Sequence, residues 1–221
     1  MTGCLHKEKN LCQFNIRGEL IHDWRQSHRI QDLAVSPNGH YLVAMDHERH
    51  TYVYNFITRE LEYDIPSVAK NCSVSISADS RYLLLNSVDA ESRMIDLQNQ
   101  EVVRTFVTKE VGGATIIRAR YGGANESFVI HGSTTGMAYI WHKDSGQLVQ
   151  KLEAHAKGCC NSVAWSPTDP TMFVTCGDDH KVRVYVHLPS FVKILCLLTI
   201  LQMGQLRDLG EIRNVVTQNK K

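Results

Sequence analysis

The sequence has almost no net charge and no cysteine pattern of the kind that holds a metal ion or a disulfide framework. Its 24 Lys and Arg nearly balance its 23 Asp and Glu, and the basic residues are scattered along the chain. This balance argues against nucleic acids and membranes as partners, because bulk charge would attract neither. Seven cysteines, an odd number without Cys-x-x-Cys spacing, favour free thiols and a cytoplasmic or nuclear location.

Long hydrophobic runs are also lacking. The strongly apolar segment 191–201 has 11 residues and includes Lys193. A transmembrane helix needs roughly 20 apolar residues, so we predict that this segment does not span a membrane.

The motifs of catalytic and metal sites are absent as well. The segment 132–136 has neither the Lys-Ser/Thr of a phosphate-binding loop nor the Gly-x-Ser-x-Gly order of a nucleophile elbow. His47 and His50 lie in a polar stretch that a surface turn explains better than a metal site. The adjacent Cys159 and Cys160 indicate packing rather than redox chemistry. We therefore predict a protein that is not an enzyme, without catalytic, cofactor-binding or metal-binding residues and without a cofactor.

What the sequence does contain is an internal repeat. Phe14, Tyr54, Ile95, Trp141 and Tyr185 each end a short apolar segment, and they are separated by 40, 41, 46 and 44 residues. Repeats of this length made of short strands are typical of the blades of a β-propeller. Since a propeller is usually a rigid platform for other proteins, the repeat favours a scaffold over an enzyme.

Each repeat has the same internal order of strands. The first strand alternates apolar and polar residues and ends at a turn, as in 30–35 followed by Ser-Pro-Asn-Gly at 36–39. The second strand is more continuously apolar, as in 41–45, which fits a strand packed on both faces. Two further strands complete the unit. The sequence thus predicts an all-β fold, a partial β-propeller of four blades plus part of a fifth, with a non-propeller C-terminal tail.

The repeats divide the chain into six segments. We predict a partial blade at 1–24, blades at 25–66, 67–107, 108–152 and 153–186, and an atypical tail at 187–221. Because the blades of a propeller close into a ring, we expect this chain to be the C-terminal part of a larger propeller, with open blade edges that favour self-association. For the apolar part of the tail, a helix that covers the open edge stays an alternative to a splice or gene-model artefact, which is favoured.

An acidic residue recurs six positions before the repeated bulky residue. It is present as Glu8, Glu48, Asp89 and Asp179, and Thr135 stands in the remaining repeat. This acidic position keeps a constant spacing from the bulky residue and therefore supports the division of the chain into blades.

The segment 154–185 resembles a WD repeat, with Ala154 in place of the usual Gly and Tyr185-Val186 in place of Trp-Asp. In such repeats a buried Asp joins the turn between the second and third strands to a His in the preceding loop. The resemblance implies a structural hydrogen-bond set made of His155, Asp179 and Tyr185. A buried carboxylate needs such a partner, so the spacing favours a structural role for His155 over that of a catalytic base.

Longer segments resemble one family of WD-repeat proteins. Residues 14–24, 28–36, 121–133, 139–143 and 159–185 are similar to the WD-repeat subunit of the GID/CTLH ubiquitin ligase. The resemblance covers about 11–185. It implies a non-catalytic scaffold that recruits substrates in ubiquitin-dependent degradation, with ligase subunits or substrates as partners. A generic adaptor in signalling or transport is the alternative, and an enzyme that uses a propeller cleft has no motif in its favour.

The partner contacts of a propeller are expected in the loops that enter the first strand and that join the second strand to the third. Separately, 14–17 (Phe-Asn-Ile-Arg) faintly resembles the Trp-Asp-x-Arg ending by which some WD-repeat proteins contact cullin-ligase adaptors, with Arg17 as the contact. The other candidate contacts are Arg25, His28, Arg49, His50, Arg118, Arg120, Lys157, His180 and Lys181.

Overall fold

The computed structural model describes residues 2–3, 11–25, 28–89, 91–108 and 117–186, with only the backbone described for 2–3. Within these ranges the chain forms β-strands and one short 3-10 turn, Ala124–Glu126, and no α-helix. The strands assemble into five antiparallel sheets whose order follows the chain. The predicted all-β, blade-like fold is therefore confirmed. The predicted tail at 187–221 and the acidic position Glu8 lie outside the described residues.

The strands follow one another in a meander. Sheet 1 contains β1 (Thr2–Gly3), β2 (Leu11–Phe14) and β3 (Leu20–Asp23). Sheet 2 contains β4 (Ile30–Val35), β5 (Tyr41–Asp46), β6 (His50–Asn55) and β7 (Leu61–Pro66). Sheet 3 contains β8 (Asn71–Ile76), β9 (Tyr82–Ser87), β10 (Glu91–Asp96) and β11 (Glu101–Val107). Sheet 4 contains β12 (Ala119–Gly122), β13 (Phe128–Gly132), β14 (Met137–His142) and β15 (Leu148–Glu153). Sheet 5 contains β16 (Cys160–Trp165), β17 (Met172–Gly177) and β18 (Val182–Val186).

The first strands of successive sheets contact one another. Strand β4 contacts β8, β8 contacts β12, and β12 contacts β16. The four strands therefore line a common central space, which we call the hub. The sheets radiate from it as the blades of a propeller do.

The turns between first and second strands are closed by hydroxyl groups. The Ser36 Oγ accepts the backbone N–H of Tyr41 at 2.8 Å, and Ser77 Oγ does the same for Tyr82 at 2.9 Å. Gly39, with φ of 71°, provides the left-handed backbone that the first of these turns requires. The N–H of Asn38 then donates to Ser80 Oγ of the next sheet at 3.0 Å, which ties neighbouring blades together.

The repeated bulky residues mark a recurring irregularity in the outer half of the sheets. The pairing of third and fourth strands shifts register directly before Phe14, Tyr54, Ile95 and Trp141. Such a shift is a β-bulge, which increases the local twist and redirects side chains. Tyr54, Ile95 and Trp141 are buried, whereas Phe14 in sheet 1 is exposed.

Buried side chains fill the space between neighbouring sheets. Each large apolar side chain buried in this way contributes about 1.5–3 kcal/mol to folding. Four clusters join successive sheets, and their members include Trp24 and Tyr54 in the first, Val43 and Leu85 in the second, Leu84 and Trp141 in the third, and Ile140 and Phe173 in the fourth.

Two glycines allow sheets 4 and 5 to approach closely. A side chain at Gly122 would overlap the Trp165 indole, and one at Gly132 would overlap the backbone carbonyl of Cys160. The Trp165 ring stacks on Phe128 of sheet 4, with centroids 5.9 Å apart. The absence of a Cβ at these positions is therefore a packing requirement.

Candidate interaction surface

Antiparallel pairing brings two kinds of loop to the same end of the described sheets. The turns from second to third strand, such as 47–49 and 178–181, lie beside the connections that enter the next first strand, such as 67–70 and 154–159. The N–H of Ser67 donates to the carbonyl of Arg49 at 2.9 Å and joins two of these loops directly. We call this end the upper rim, and the opposite end, which holds turns such as 15–19 and 36–40, the lower rim.

A buried polar network holds the upper rim at sheet 5. His155 Nδ1 lies 2.7 Å from Asp179 Oδ1, and His155 Nε2 lies 2.9 Å from Thr175 Oγ1. Arg183 Nη1 donates to Asp179 Oδ2 at 2.7 Å. Arg183 Nη1 also lies 2.7 Å from His155 Nδ1, so both Asp179 and Arg183 contact this ring nitrogen. The network thus fastens the loop 154–159 to the turn 178–181.

The electrostatics of Asp179 reflect this pairing. Burial alone would raise the pKa of the carboxyl, but the hydrogen bonds from His155 and Arg183 outweigh it and hold the pKa at about 2. Of the three residues grouped by the sequence, His155 and Asp179 are in direct contact. Tyr185 is buried and stacks on Phe173, with ring centroids 4.6 Å apart. Thr175 and Arg183 were missed, because nothing in the repeat spacing marks them.

We call such a buried polar network at the upper rim of a sheet its polar corner. The polar corner of sheet 2 is formed by other residues than that of sheet 5. Asp46 Oδ1 accepts the backbone N–H groups of Glu48 and His50 at 2.8 and 2.9 Å. The Tyr52 hydroxyl donates to Asp46 Oδ2 at 2.9 Å and lies 3.1 Å from His28 Nδ1. Burial and this bond to Asp46 raise the pKa of Tyr52. Counting six residues back from Tyr54 gives Glu48, which is exposed. The buried acidic residue is Asp46.

In sheet 3 the acidic position of the register, Asp89, is exposed as well. The buried polar group here is Asn86, whose Oδ1 accepts from Ser92 Oγ at 2.6 Å and whose Nδ2 donates to the Ile117 carbonyl at 2.6 Å. An amide suits this position better than a carboxylate, because its partner is a backbone carbonyl, which needs a hydrogen-bond donor. The His–Asp form of the corner thus occurs at sheet 5, and sheets 2 and 3 use other chemistry.

The candidate contacts of sheet 2 surround its polar corner. His28 and His50 stack on Tyr52 with centroid distances of 4.3 and 5.9 Å, and His50 Nδ1 lies 3.1 Å from Asp64 Oδ2. Arg49, at φ of 75°, donates from Nη1 to the Val68 carbonyl at 3.0 Å. These contacts hold the basic groups in place on the upper rim.

The candidate contacts of sheet 5 lie at the surface of its polar network. Lys157, His180 and Lys181 are exposed on the two loops that His155 and Asp179 join.

Arg25 lies between β3 and β4 and is also exposed. Its backbone N–H donates to the Asp23 carboxylate at 2.8 Å.

Three other candidates lie elsewhere. Arg17 is in the turn between β2 and β3, on the lower rim, so it does not share a surface with the others. Arg120 lies within β12 rather than in a loop, and it is half-buried. Arg118 directly precedes β12, and its Nη1 is 3.9 Å from Asp32 Oδ2. Arg120 Nη1 lies 3.4 Å from the carbonyl of Val74 in β8, so both arginines approach the first strands of other sheets.

The described residues contain no group of three or more His, Cys, Asp or Glu that could hold a metal ion. None of the helical structure in these ranges is long and apolar enough to cross a bilayer. The apolar segment 191–201 lies outside the described residues.

We expect the buried thiol of Cys160 to react slowly with alkylating reagents. Burial, with a smaller effect of the nearby Cys176, raises its pKa to about 12, so little reactive thiolate exists at about pH 8. Cys176 is only half-buried and is the internal control. Peptide mass spectrometry after iodoacetamide treatment should find Cys160 modified at least about tenfold more slowly than Cys176. Equal rates in the native protein would contradict this burial.

The comparisons with known proteins agree with the fold. A family model described as "WD domain, G-beta repeat" matches residues 146–185, which include the fourth strand of sheet 4 and the strands of sheet 5 up to Tyr185. This match, the five antiparallel sheets and the His155–Asp179 corner define the chain as a WD-repeat protein.

Within this class, the chain is similar to a GID complex subunit and to WD repeat-containing protein 26 homologs. It is 31% identical to GID complex subunit 7 of Schizosaccharomyces pombe over 80% of this chain and 36% of the relative. It is 28% identical to the WD repeat-containing protein 26 homolog of Arabidopsis thaliana over 80% of this chain and 30% of the relative. The Drosophila melanogaster homolog is 29% identical over 81% of this chain and 28% of its own length. The chain thus spans about a third of these relatives.

Proposed function

We propose that this chain is a non-catalytic scaffold of a GID-type ubiquitin ligase and holds a partner or substrate on its upper rim. The proposal is supported by the WD-repeat fold and by the similarity to GID complex subunit 7 and to a WD repeat-containing protein 26 homolog. We expect it to act in the cytoplasm or nucleus.

The observation that supports this proposal most directly is the hydrogen-bonded polar corner of sheet 5. The buried network of His155, Asp179 and Arg183 fixes the loops 154–159 and 178–181. The exposed side chains on these loops are Lys157, His180 and Lys181. A loop that is already ordered loses little conformational entropy when a partner binds. The rim therefore offers charged side chains at fixed positions, which suits recognition of another protein rather than a chemical reaction.

The test is recovery of partners by the full chain. Affinity-tagged chain is captured from cells of its native source, and bound proteins are identified by mass spectrometry. Recovery of RING-type and CTLH-type ligase subunits would support the proposal, and their absence would contradict it. Recovery of only transport or signalling proteins would favour the generic adaptor instead.

The rim can be tested with charge reversals. We expect Lys157→Glu combined with Lys181→Glu to reduce recovery of the bound partner at least about fivefold, because the substitutions reverse the charge that the rim presents to the partner. The matched control is Arg17→Glu combined with Arg59→Glu, since both arginines are exposed on the lower rim. An equal loss in both double variants would argue against the upper rim as the contact surface.

A further inference from the structure

Two arginines project from the same side of the first strand of sheet 4, β12. Arg118 directly precedes β12, and Arg120 is its second residue. Residues two apart on a strand share a face. The alternate residues, Ala119 and Tyr121, are buried in the cluster between sheets 3 and 4. The apolar side of the strand is thus used for packing, and the two arginines lie on its other side.

The arginine side chains extend across the hub toward two other strands. Arg120 Nη1 lies 3.4 Å from the carbonyl of Val74 in β8 and 2.9 Å from the carbonyl of Ala119. Arg118 Nη1 lies 3.9 Å from Asp32 Oδ2 in β4. This carboxylate oxygen already accepts the N–H of Val74 at 3.1 Å. Three first strands therefore meet at one polar cluster, which we call the hub cluster: Asp32, Val74, Arg118 and Arg120.

The hub cluster carries more positive than negative charge. Two guanidinium groups face one carboxylate, and that carboxylate is engaged by a backbone N–H. Burial and the charge of Arg118 lower the pKa of Arg120, and Asp32 offsets this only in part. The Arg118 side chain is 43% exposed, so a ligand can reach it.

The chemistry of guanidinium groups indicates the ligand. A guanidinium presents a planar fork of N–H donors that matches two oxygens of one carboxylate. The hub contacts given above engage Nη1 of each arginine. A nucleic acid would need an extended basic groove, whereas the positive charge here comes from two arginines beside one carboxylate.

We propose that the hub cluster binds a carboxylate side chain in an acidic segment of a partner protein, through Arg118 and Arg120. This inference rests on the proposed function, because it assigns the chemistry of the partner that the scaffold holds. Asp32 then orients Arg118, and the incoming carboxylate supplies the negative charge that the cluster lacks.

The test measures binding of a fluorescein-labelled hexaglutamate peptide to the full chain by fluorescence anisotropy, at about 50 mM salt, where charge interactions are only partly screened. We expect saturable binding that Arg118→Gln weakens at least about tenfold, since a charge-assisted bidentate contact is lost. The control is Arg59→Gln, which removes the same charge from the exposed lower rim and should change the affinity less than about twofold. Thermal unfolding of each variant checks that the fold is intact.

Several results would overturn the proposal. These are absence of saturable binding, an equal loss in the Arg118 and Arg59 variants, and binding of a phosphoserine peptide in place of the glutamate peptide. The ligase hypothesis has a separate readout in partner capture. Capture of ligase subunits by a chain that does not bind hexaglutamate would overturn the hub assignment alone, and hexaglutamate binding without such capture would overturn the ligase role alone.

Discussion

Replacing Asp179 with alanine should lower the free energy of unfolding by about 3 kcal/mol. The Asp179 side chain is 8% exposed and that of His155 fully buried. The substitution removes the acceptor for both His155 and Arg183, and leaves a buried imidazole and a half-buried guanidinium without their carboxylate. Urea unfolding followed by tryptophan fluorescence measures the change, because Trp165 lies in the same sheet.

The matched control is Asp144→Ala. Asp144 is exposed, and Arg104 contacts its backbone carbonyl rather than its side chain, so a change within about 0.5 kcal/mol is expected. A loss as large as that of Asp179→Ala would show that any removed carboxylate destabilises the fold, and would contradict the structural role of the sheet 5 corner.

The pH dependence gives a second readout of the same corner. The pKa of Asp179 is about 2 in the folded protein and 3.8 as its ordinary value. A depressed folded pKa contributes stability that is fully present above the ordinary pKa and is lost as the pH falls through the folded value. The stability difference between the native chain and Asp179→Asn should therefore be constant above about pH 5 and shrink toward about pH 2. A difference that stays constant on acidification would contradict the pairing.

Gly132→Ala should be at least as destabilising as the loss of Asp179, by about 3 kcal/mol or more. Its new Cβ would overlap the backbone carbonyl of Cys160 in the neighbouring sheet. Backbone cannot rotate away as a flexible side chain can, so sheets 4 and 5 must separate and expose the cluster that contains Ile140 and Phe173. Urea unfolding again measures the effect, and the Trp165 fluorescence should report the altered packing.

Gly39→Ala is the appropriate comparison for this prediction. Gly39 has open space around its Cβ position but a φ of 71°. Alanine there meets backbone strain without a collision, and the expected cost is about 1 kcal/mol. If the two substitutions proved equally harmful, the close approach of sheets 4 and 5 would not be the cause.

Most of the fold could be predicted because each repeat specifies its own strands. Alternation over 30–35 and the apolar run over 41–45 correspond to β4 and β5, and the Ser-Pro-Asn-Gly segment corresponds to the turn between them. These features depend on neighbours in the chain. Periodicity and turn chemistry therefore determine them locally.

The candidate surface could be predicted only in part. The structure brings His155 and Asp179 together, because the spacing within a complete WD-like repeat places a loop beside a turn. The same spacing selected the exposed Glu48 where the buried Asp46 is the polar anchor. A shift of two residues changes which group is buried, and the sequence carries no signal of that choice.

By itself the sequence determined the repeat length, the strand order and the all-β class, since all three depend on contacts within about one repeat. Tertiary structure alone decided which charged groups meet. Arg120 of β12 contacts Val74 of β8 and Arg118 approaches Asp32 of β4, whereas Arg17 lies on the opposite rim. The physical reason is that the hub forms only when strands from different repeats pack together, and the positions of its side chains follow from that packing.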